Sequence, residues 1–322
     1  MLEVLGVENV ITKFDEVFDR IKSHPKKQIA VAVAHDSTVL DAVIKAEELE
    51  ITDYILVGDK EKILNISEEA SFNVKSNKIY NEPNNLKAVD MAVELVKSNR
   101  ADILMKGFVN TDDFLRGVLN REKGLRTGKI MSHVYVLESS ALKRLLFITD
   151  GSVNIFPDLE TKCSIILNSI YLANVFEIDK PKVAVTTAIE LANPKMPSTI
   201  DAAVLAKMSQ RGQFSGMIID GPLALDNAIS PWAAEHKGIG GPVAGRADII
   251  VVPSIEAGNM LCKAHVYLTG GNLAGVVIGA SAPIVLTSRA DTSQSKLNSI
   301  ATAVLMANME RNLSIKFGQV HY

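Results

Sequence analysis

The chain has 322 residues, of which 47% are hydrophobic and 22% are charged, the balance of a folded globular protein and not of a disordered one. Its 34 basic and 37 acidic residues leave a formal charge of −3, which argues against nucleic acid or any other general polyanion as a partner. The two cysteines, Cys163 and Cys262, are too few for a disulfide scaffold and fit a reducing compartment, so we expect a cytoplasmic protein.

Membrane functions are not expected either. The first eight residues lack the basic-then-apolar order of a secretory signal. No apolar run approaches the roughly 20 residues that a membrane-spanning helix needs.

Short apolar runs alternate along the chain with segments of helical spacing. Strands are predicted at 29–34, 55–58, 103–106, 134–137, 145–149, 183–186, 217–220, 249–252, 276–278 and 284–287. Helices are predicted at 37–48, 86–98 and 260–268. Strands that are apolar on both faces and alternate with helices predict an α/β fold with mostly parallel sheets covered by helices. The length favours two sheets around a cleft over a single sheet of about ten strands.

The end of the chain reads as a strand at 283–288, a turn, and a long helix at 292–312. Leu297, Ile300, Ala301 and Val304 give that helix one apolar face.

The segment 287–292 between this strand and this helix is the first candidate site. Thr287, Ser288 and Arg289 lie where a buried strand ends, close to a helix N-terminus. Two hydroxyls, a guanidinium and free backbone N–H groups suit an anion such as phosphate. The alternative is that Asp291 or Thr292 only caps the helix and that Arg289 is a solvated charge.

Three further segments are weaker candidates. The glycine-rich run 238–245 precedes a strand, unlike a nucleotide-binding loop, and a loop around the domain edge explains it equally well. Gly258 permits close approach of a ligand or of a neighbouring backbone, and Asn259 either binds a ligand or caps the next helix. In the segment beginning at Thr111, Arg116 either holds an anion or is solvated, and its spacing from Asp112 permits an ion pair.

Other chemistries lack a motif. The six histidines are scattered, without His-Glu-x-x-His or Cys-x-x-Cys spacing, so we expect no metal site. There is no Gly-x-Ser-x-Gly segment of the kind that marks a serine hydrolase.

Several ordered motifs together resemble the phosphate acetyl/butyryltransferase family, over nearly the whole chain. In the C-terminal half they are Asp220-Gly-Pro-Leu-Ala-Leu-Asp226, Gly241-Pro-Val-Ala-Gly245, Val252-Pro-Ser-Ile-Glu-Ala-Gly258-Asn259 and Leu286-Thr-Ser288-Arg289. The segments 104–111, 124–133 and 149–160 and the Ser-Arg-Ala-Asp sequence at 288–291 are closest to the phosphate butyryltransferase branch.

This resemblance implies a two-domain α/β/α fold like that of the isocitrate and isopropylmalate dehydrogenases, with the active site in an interdomain cleft. Domain I would comprise 1–138 and 281–322, and domain II, on the CoA side and at the dimer contact, 139–280. A homodimer or higher homo-oligomer is implied. The implied reaction converts a short-chain acyl-CoA and phosphate into an acyl phosphate and CoA, with coenzyme A as a substrate and no permanent cofactor or metal.

The family motif also assigns roles to individual residues. Arg289 would hold phosphate, Ser288 would steady the developing thiolate, and Arg116 would supply a second anion contact. Thr111, Thr287, Gly258 and Asn259 are candidate substrate contacts, and Asp291 is a candidate catalytic residue. Two positions depart from the acetyltransferase members: Ser295 replaces the aspartate read as the thiol base, and Val266 replaces an arginine.

The leading hypothesis is therefore a phosphate acyltransferase for butyryl or branched C4–C5 chains, with phosphate acetyltransferase second. A metal- and NAD(P)-dependent dehydrogenase on the same fold, with Asp220 and Asp226 as candidate metal carboxylates, is one alternative. A non-catalytic CoA-binding relative that has lost the base is another.

Overall fold

The computed structural model describes residues 10–309 and residue 320. Contacts divide these residues into two compact units. Unit 1 contains residues 10–16, 134–271 and 320, and unit 2 contains residues 17–133 and 272–309. The domain boundaries given above stay a prediction.

Helices and strands alternate along the chain, as the α/β prediction requires. The first nine elements are α1 (Phe14–Ile21), β1 (Lys27–Ala32), α2 (Ser37–Glu48), β2 (Thr52–Gly58), α3 (Lys60–Glu69), β3 (Ile79–Asn81), α4 (Asn85–Lys97), β4 (Ile103–Lys106) and α5 (Thr111–Val118). They are followed by β5 (Ser132–Ser139), β6 (Arg144–Thr149), α6 (Leu159–Val175), β7 (Lys182–Thr186), α7 (Pro197–Gln210), β8 (Ile218–Leu223), α8 (Leu225–Ile229), α9 (Pro231–His236) and β9 (Ile249–Val251). The last four are α10 (Ile255–Thr269), β10 (Asn272–Ile278), β11 (Ile284–Val285) and α11 (Ser293–Met309).

In unit 2 the strands are ordered β3-β2-β1-β4-β11-β10. All neighbouring pairs are parallel except β10 and β11. From β1 the chain proceeds to β2 and β3 on one side and returns to β4 on the other, so the direction of winding reverses between β1 and β4. In open α/β sheets, ligands bind outside the carboxyl ends of the strands at such a reversal. The carboxyl ends of β1, β4 and β11 are therefore the expected site.

In unit 1 the strands are ordered β5-β6-β9-β7-β8. The pairs from β6 to β8 are parallel, and β5 is antiparallel to β6. The fold class, α/β with mostly parallel strands, is confirmed.

The helix α11 is more deeply buried than its apolar stripe predicts. Leu297, Ile300, Ala301 and Val304 are buried as expected, but so is every other residue from 295 to 308. The helix packs on α2 and on β10. Two of its buried hydroxyl groups are satisfied within the helix, since Ser299 and Thr302 each donate to the carbonyl four residues earlier. The predicted end at 312 lies outside the described residues.

Several elements differ from the prediction, among them the following three. The final strand covers only Ile284–Val285, because the chain leaves the ladder before Thr287. The strand β3 was not predicted, and only one of its three residues is buried. The helix α10 begins at Ile255 and not at 260. Within residues 10–309, no helix is long and apolar enough to cross a membrane.

Candidate functional site

The loop 288–291, between β11 and α11, is closed by its own hydrogen bonds. The Ser288 backbone N–H donates to Asp291 Oδ2 at 2.7 Å, and the Asp291 N–H donates to the Ser288 carbonyl at 3.2 Å. The helix is capped by Thr292, whose Oγ1 accepts from the Ser295 N–H at 3.1 Å. Of the two residues considered as the cap, Thr292 has that role. Asp291, buried at 7% exposure, closes the loop instead.

Lys296, one turn into α11, contacts the loop 288–291 from the buried side. It is 1% exposed, and its Nζ donates to the carbonyls of Asp291 at 2.5 Å and Ser288 at 3.4 Å. Burial lowers the pKa of Lys296 from its ordinary value, while the carboxylates of Asp291 and Asp36 oppose the shift. The loop is thus held both by an internal turn and by a buried cation.

Arg289 extends from the loop towards solvent. Its guanidinium lies over the ring of Phe108, 5.7 Å from the centroid, a cation–π contact that restricts the long side chain. The residue is exposed, so its donors can reach a ligand from solvent. Arg289 is consequently an oriented but accessible cation beside Ser288, which is half-buried.

Lys106 is a second buried lysine at the same edge of the sheet. It is the last residue of β4, lies opposite Ala32 of β1, and is 2% exposed. Its Nζ donates to the Val109 carbonyl at 3.0 Å and, at 3.4 Å, to the Gly107 carbonyl. Burial lowers its pKa to about 8, and the positive charges of Arg289 and Lys296 act in the same direction.

The charges around this edge are predominantly positive. Three cations, Lys106, Arg289 and Lys296, face two carboxylates, those of Asp36 and Asp291. Both carboxylates are engaged, because Asp36 caps α2 by accepting from the Val39 N–H and Asp291 accepts from Ser288. Excess positive charge in a poorly solvated place favours an anion there.

A buried hydroxyl adjoins the loop. Thr287 is 2% exposed, and its Oγ1 has no hydrogen-bond partner among the described residues. A buried polar atom without a partner is uncommon in native proteins and often marks a position where a ligand or water binds. That Thr287 contacts a substrate stays a prediction.

His35 follows β1 at the same edge. Its ring centroid lies 6.3 Å from that of Phe108, the residue that also contacts Arg289. Burial lowers the pKa of His35, and the nearby Lys62 lowers it further. Both effects favour the neutral imidazole.

Arg116 lies on the surface of α5 and not against the loop. Its side chain is 70% exposed, and its guanidinium pairs with Asp113 at 3.1 Å, three residues earlier. The pair with Asp112 that the spacing permits is replaced by this one. Thr111, the first residue of α5, is half-buried. None of the described contacts joins Arg116 to Ser288 or Arg289.

Gly258 and Asn259 lie within the first two turns of α10, in unit 1. A Cβ on Gly258 would stand 2.8 Å from Gly151 Cα and 3.0 Å from Val252 Cγ2, so the glycine permits close approach of a neighbouring backbone. Asn259 is half-buried inside the helix, five residues after the N-cap position Ser254. The expectation that Asn259 caps the helix is wrong, since the helix begins earlier.

The carboxylates considered for a metal site have other partners. Asp226 pairs with Lys237 at 2.8 Å, and Asp220 accepts from the Gly221 N–H at 2.8 Å. Within the described part of the chain, no group of three or more His, Cys, Asp or Glu side chains could hold a metal ion.

Sequence reasoning found the loop but missed the two lysines beneath it. The sequence predicts Lys106 only as part of a strand and Lys296 only as part of a helix. A sequence signal exists for Lys106 alone, because it ends the apolar run Ile-Leu-Met-Lys and lysines are rarely buried. The surroundings of Lys296 in the sequence are polar and carry no such signal.

Comparison with known proteins gives a consistent result. The family model described as "Phosphate acetyl/butaryl transferase" matches residues 74–304. The chain is 52% identical over 298 residues to a phosphate butyryltransferase of Clostridium acetobutylicum, covering 92% of this chain and 99% of that protein. It is 42% identical over 300 residues to a phosphate acetyltransferase of Rhizobium meliloti, covering 93% and 95% of the two chains.

A solved structure agrees. The branched-chain phosphotransacylase from Enterococcus faecalis V583 superimposes with a TM-score of 0.76 at 31% identity, covering 87% of this chain and 99% of the other. The chain that carries the loop 288–291 and the two buried lysines beside it thus matches these transferases over most of its length. This chain is a member of the phosphate acetyl/butyryltransferase family.

Proposed function

We propose that the protein transfers a short acyl group between coenzyme A and inorganic phosphate: acyl-CoA and phosphate give acyl phosphate and CoA, reversibly. The observation that carries this proposal is the cationic cluster at the loop 288–291, where Arg289 is accessible and Lys106 and Lys296 are buried. Such a cluster suits the phosphate dianion, the substrate common to all members named above. Membership in a transferase family favours this hypothesis over the dehydrogenase alternative.

In the proposed reaction, a phosphate oxygen attacks the thioester carbonyl carbon. The C–O bond forms, the C–S bond breaks, and the CoA thiolate leaves and takes up the proton released by phosphate. Arg289 binds the phosphate oxygens and orients them towards the carbonyl, which supplies the proximity that catalysis needs. The Ser288 hydroxyl donates to the sulfur as negative charge develops on it.

Asp291 has a positioning role in this proposal. Its carboxylate already accepts the Ser288 N–H at 2.7 Å, so it holds the serine and the following arginine in place. A separate thiol base is unnecessary at neutral pH if the positive charge of Arg289 lowers the thiol pKa from its ordinary value of about 8.5. This accounts for the tolerance of Ser295 where acetyltransferases have aspartate; Ser295 is buried and contacts the Thr292 hydroxyl at 3.1 Å.

The preferred acyl group in this proposal is butyryl or a branched C4–C5 chain. The 52% identity to a phosphate butyryltransferase and the structural likeness to a branched-chain phosphotransacylase support it. Acetyl is the second candidate, supported by the 42% identity to a phosphate acetyltransferase. Each methylene in an apolar pocket is worth only about 1–3 kcal/mol, so overlapping specificities are expected.

The remaining substrate contacts carry over from the family motif. Arg116 and Thr111 on α5 are proposed to meet anionic groups of the substrates, and the 70% exposure of Arg116 leaves its guanidinium accessible. Asn259 is proposed to hydrogen-bond acyl-CoA from α10. Gly258 then acts indirectly, because its close contact with Gly151 sets the position of that helix.

We further propose a cytoplasmic homodimer. Three large apolar side chains of α10 are exposed, Met260 at 71%, Tyr267 at 61% and Leu268 at 82%, and apolar patches of this kind mark protein interfaces. Neither cysteine forms a disulfide and both are buried, in keeping with a reducing compartment. Light scattering on the wild type and on Leu268→Glu tests the dimer: the variant should have half the mass, and an unchanged mass would exclude this face.

The function is tested by phosphate-dependent release of free thiol from acetyl-, butyryl- and isobutyryl-CoA. We expect turnover with all three and the highest kcat/KM for a C4 substrate. Highest efficiency with acetyl-CoA would favour the second candidate. Binding of CoA without any phosphate-dependent thiol release would favour a non-catalytic relative and overturn the proposal.

A further inference from the structure

The proposed reaction counts Lys106 in the cationic cluster but gives it no contact with a substrate. The residue is 2% exposed and ends β4, next to the point where the winding of unit 2 reverses. Its Nζ contacts are two backbone carbonyls, those of Val109 and Gly107. Carbonyl oxygens accept from an ammonium or an amine but do not neutralise an ammonium charge, so this buried lysine lacks a dedicated counter-ion.

The charged groups that face Lys106 come from three elements. Arg289 and Asp291 lie on the loop 288–291, Lys296 on α11, and Asp36 at the N-terminus of α2. The two cations outweigh the two carboxylates in their effect on Lys106. Since both carboxylates already accept other hydrogen bonds, neither is a free partner for the ammonium.

We infer that Lys106 is a second phosphate-binding cation of this site and that, wherever it is still a neutral amine, it takes up one proton from solvent as the anion enters. This inference rests on the proposed function. In this step the Lys106 amine and one solvent proton give the ammonium, and no bond to the substrate forms or breaks. The incoming anion supplies the missing counter-charge, and the buried Thr287 Oγ1 offers it a further hydrogen bond.

The pH dependence follows from the charge state of the empty site. Burial and the neighbouring cations lower the pKa of Lys106 to about 8. Below that pH the ammonium is present before the anion binds; above it a proton must be acquired. Affinity for an anion should therefore be constant below pH 7 and fall by about tenfold from pH 7 to pH 9.

A purely structural lysine would behave differently. If Lys106 only ties the 107–109 turn to β4 through its carbonyl contacts, anion affinity would not follow its titration. Arginine, which keeps its charge at every pH used, would then have no distinctive effect on the pH profile. The proton count on binding separates the two roles.

The test is calorimetric binding of sulfate to the full chain at pH 7 and pH 9, in two buffers of different ionisation enthalpy. Sulfate is a suitable probe because it remains a dianion over this range and adds no proton of its own. We expect the wild type to take up about 0.1 proton at pH 7 and close to one at pH 9. Lys106→Arg should bind with the same affinity at both pH values and with no proton uptake.

Lys106→Met should bind sulfate at least tenfold more weakly at pH 7, again without proton uptake. Lys162→Met is the matched control, because Lys162 is a buried lysine of unit 1 paired with Asp201 at 2.6 Å. It should keep the wild-type affinity and proton count. Thermal unfolding of each variant verifies that the protein tested is folded.

The inference is overturned if Lys106→Met binds sulfate like the wild type, or if Lys106→Arg retains the wild-type proton uptake. Failure of the proposed function has a different signature. A wild type that binds sulfate with proton uptake but releases no thiol from any acyl-CoA would refute the transferase reaction while supporting the role of Lys106 in anion binding.

Discussion

The backbone N–H of Ser288 donates to the carboxylate of Asp291 at 2.7 Å. Asp291, the carboxylate considered as a thiol base, therefore stabilises the loop 288–291. A carboxylate that accepts a backbone hydrogen bond and is 7% exposed is poorly placed to collect a proton from a large substrate. The same bond fixes the turn that presents Arg289.

This relationship predicts different results for two substitutions of Asp291. Asp291→Asn keeps an oxygen acceptor for the Ser288 N–H, so kcat/KM should fall by no more than a few fold. Asp291→Ala removes the acceptor of the Ser288 N–H, which costs about 1–3 kcal/mol and should lower kcat/KM by at least tenfold. Steady-state kinetics distinguish the roles, because a catalytic base would lose activity equally in both variants.

Removal of the accessible cation should weaken phosphate binding. Arg289→Ala should raise the KM for phosphate by at least about tenfold, since hydrogen bonds to a charged group are worth about 1.5–3 kcal/mol. Arg289→Lys should recover only part of this, because an ammonium lacks the bidentate geometry of guanidinium. Arg100→Ala, at an exposed arginine after α4, is the control and should have the wild-type KM. A normal phosphate KM for Arg289→Ala would contradict the site assignment.

Removal of the Lys106 charge should stabilise the folded protein at pH 7, although it should weaken anion binding. Burial lowers the pKa of this lysine to about 8, below the value of about 10.4 in an unfolded chain. The unfolded state then binds more protons between pH 8 and pH 10.4, so the folding penalty is fully present below pH 8 and disappears as the pH rises. At pH 7, Lys106→Met should therefore stabilise the protein by about 1–3 kcal/mol.

Urea denaturation at pH 7 and pH 10 measures this effect. The gain from Lys106→Met should be smaller at pH 10. Lys162→Met should destabilise the protein at pH 7, because it leaves the Asp201 carboxylate without its partner. Equal destabilisation by both substitutions would show that Lys106 is an ordinary structural lysine.

The contact between α10 and the segment after β6 should not tolerate a methyl group. Gly258→Ala would bring Cβ to 2.8 Å from Gly151 Cα and 3.1 Å from the Asp150 carbonyl, so the helix must shift. We expect a loss of about 1–3 kcal/mol in the free energy of unfolding. Gly240→Ala is the matched control, because nothing lies within 4 Å of a Cβ at that position. An unchanged midpoint of thermal unfolding for Gly258→Ala would show that the helix can move freely.

Local patterns predicted those parts of the fold that local forces determine. The helix 37–48 agrees with α2 at both ends, because Asp36 caps its first turn and its apolar spacing is regular. The strand β4 agrees as well, since four consecutive buried residues leave little alternative. The three-residue strand β3 has no such pattern and depends on pairing with β2.

The candidate site was only partly predictable from the sequence, because some of its residues are brought together by contacts between distant parts of the chain. The Thr-Ser-Arg segment is contiguous, so its position between a strand and a helix could be read directly. The sequence predicts for Gly258 the close approach of a ligand or of a neighbouring backbone, and the neighbour is Gly151, more than 100 residues away in sequence. The predicted start of the helix at 260 is wrong, since α10 begins at Ile255. Lys106 and Lys296 lie 190 residues apart, and their surroundings come together through the pairing of β4 with β11 and the packing of α11 on β4.

The contacts that Lys296 makes with the loop 288–291 also affect the rate at which the anion binds. Lys296, in a buried helix, donates to the carbonyls of Ser288 and Asp291. The loop 288–291 therefore has its binding conformation before the anion binds. Most of the ordering entropy is therefore lost while the polypeptide folds and not when the anion arrives. Association should then proceed in one fast phase, set by diffusion and steered by charge, with no slow isomerisation after collision.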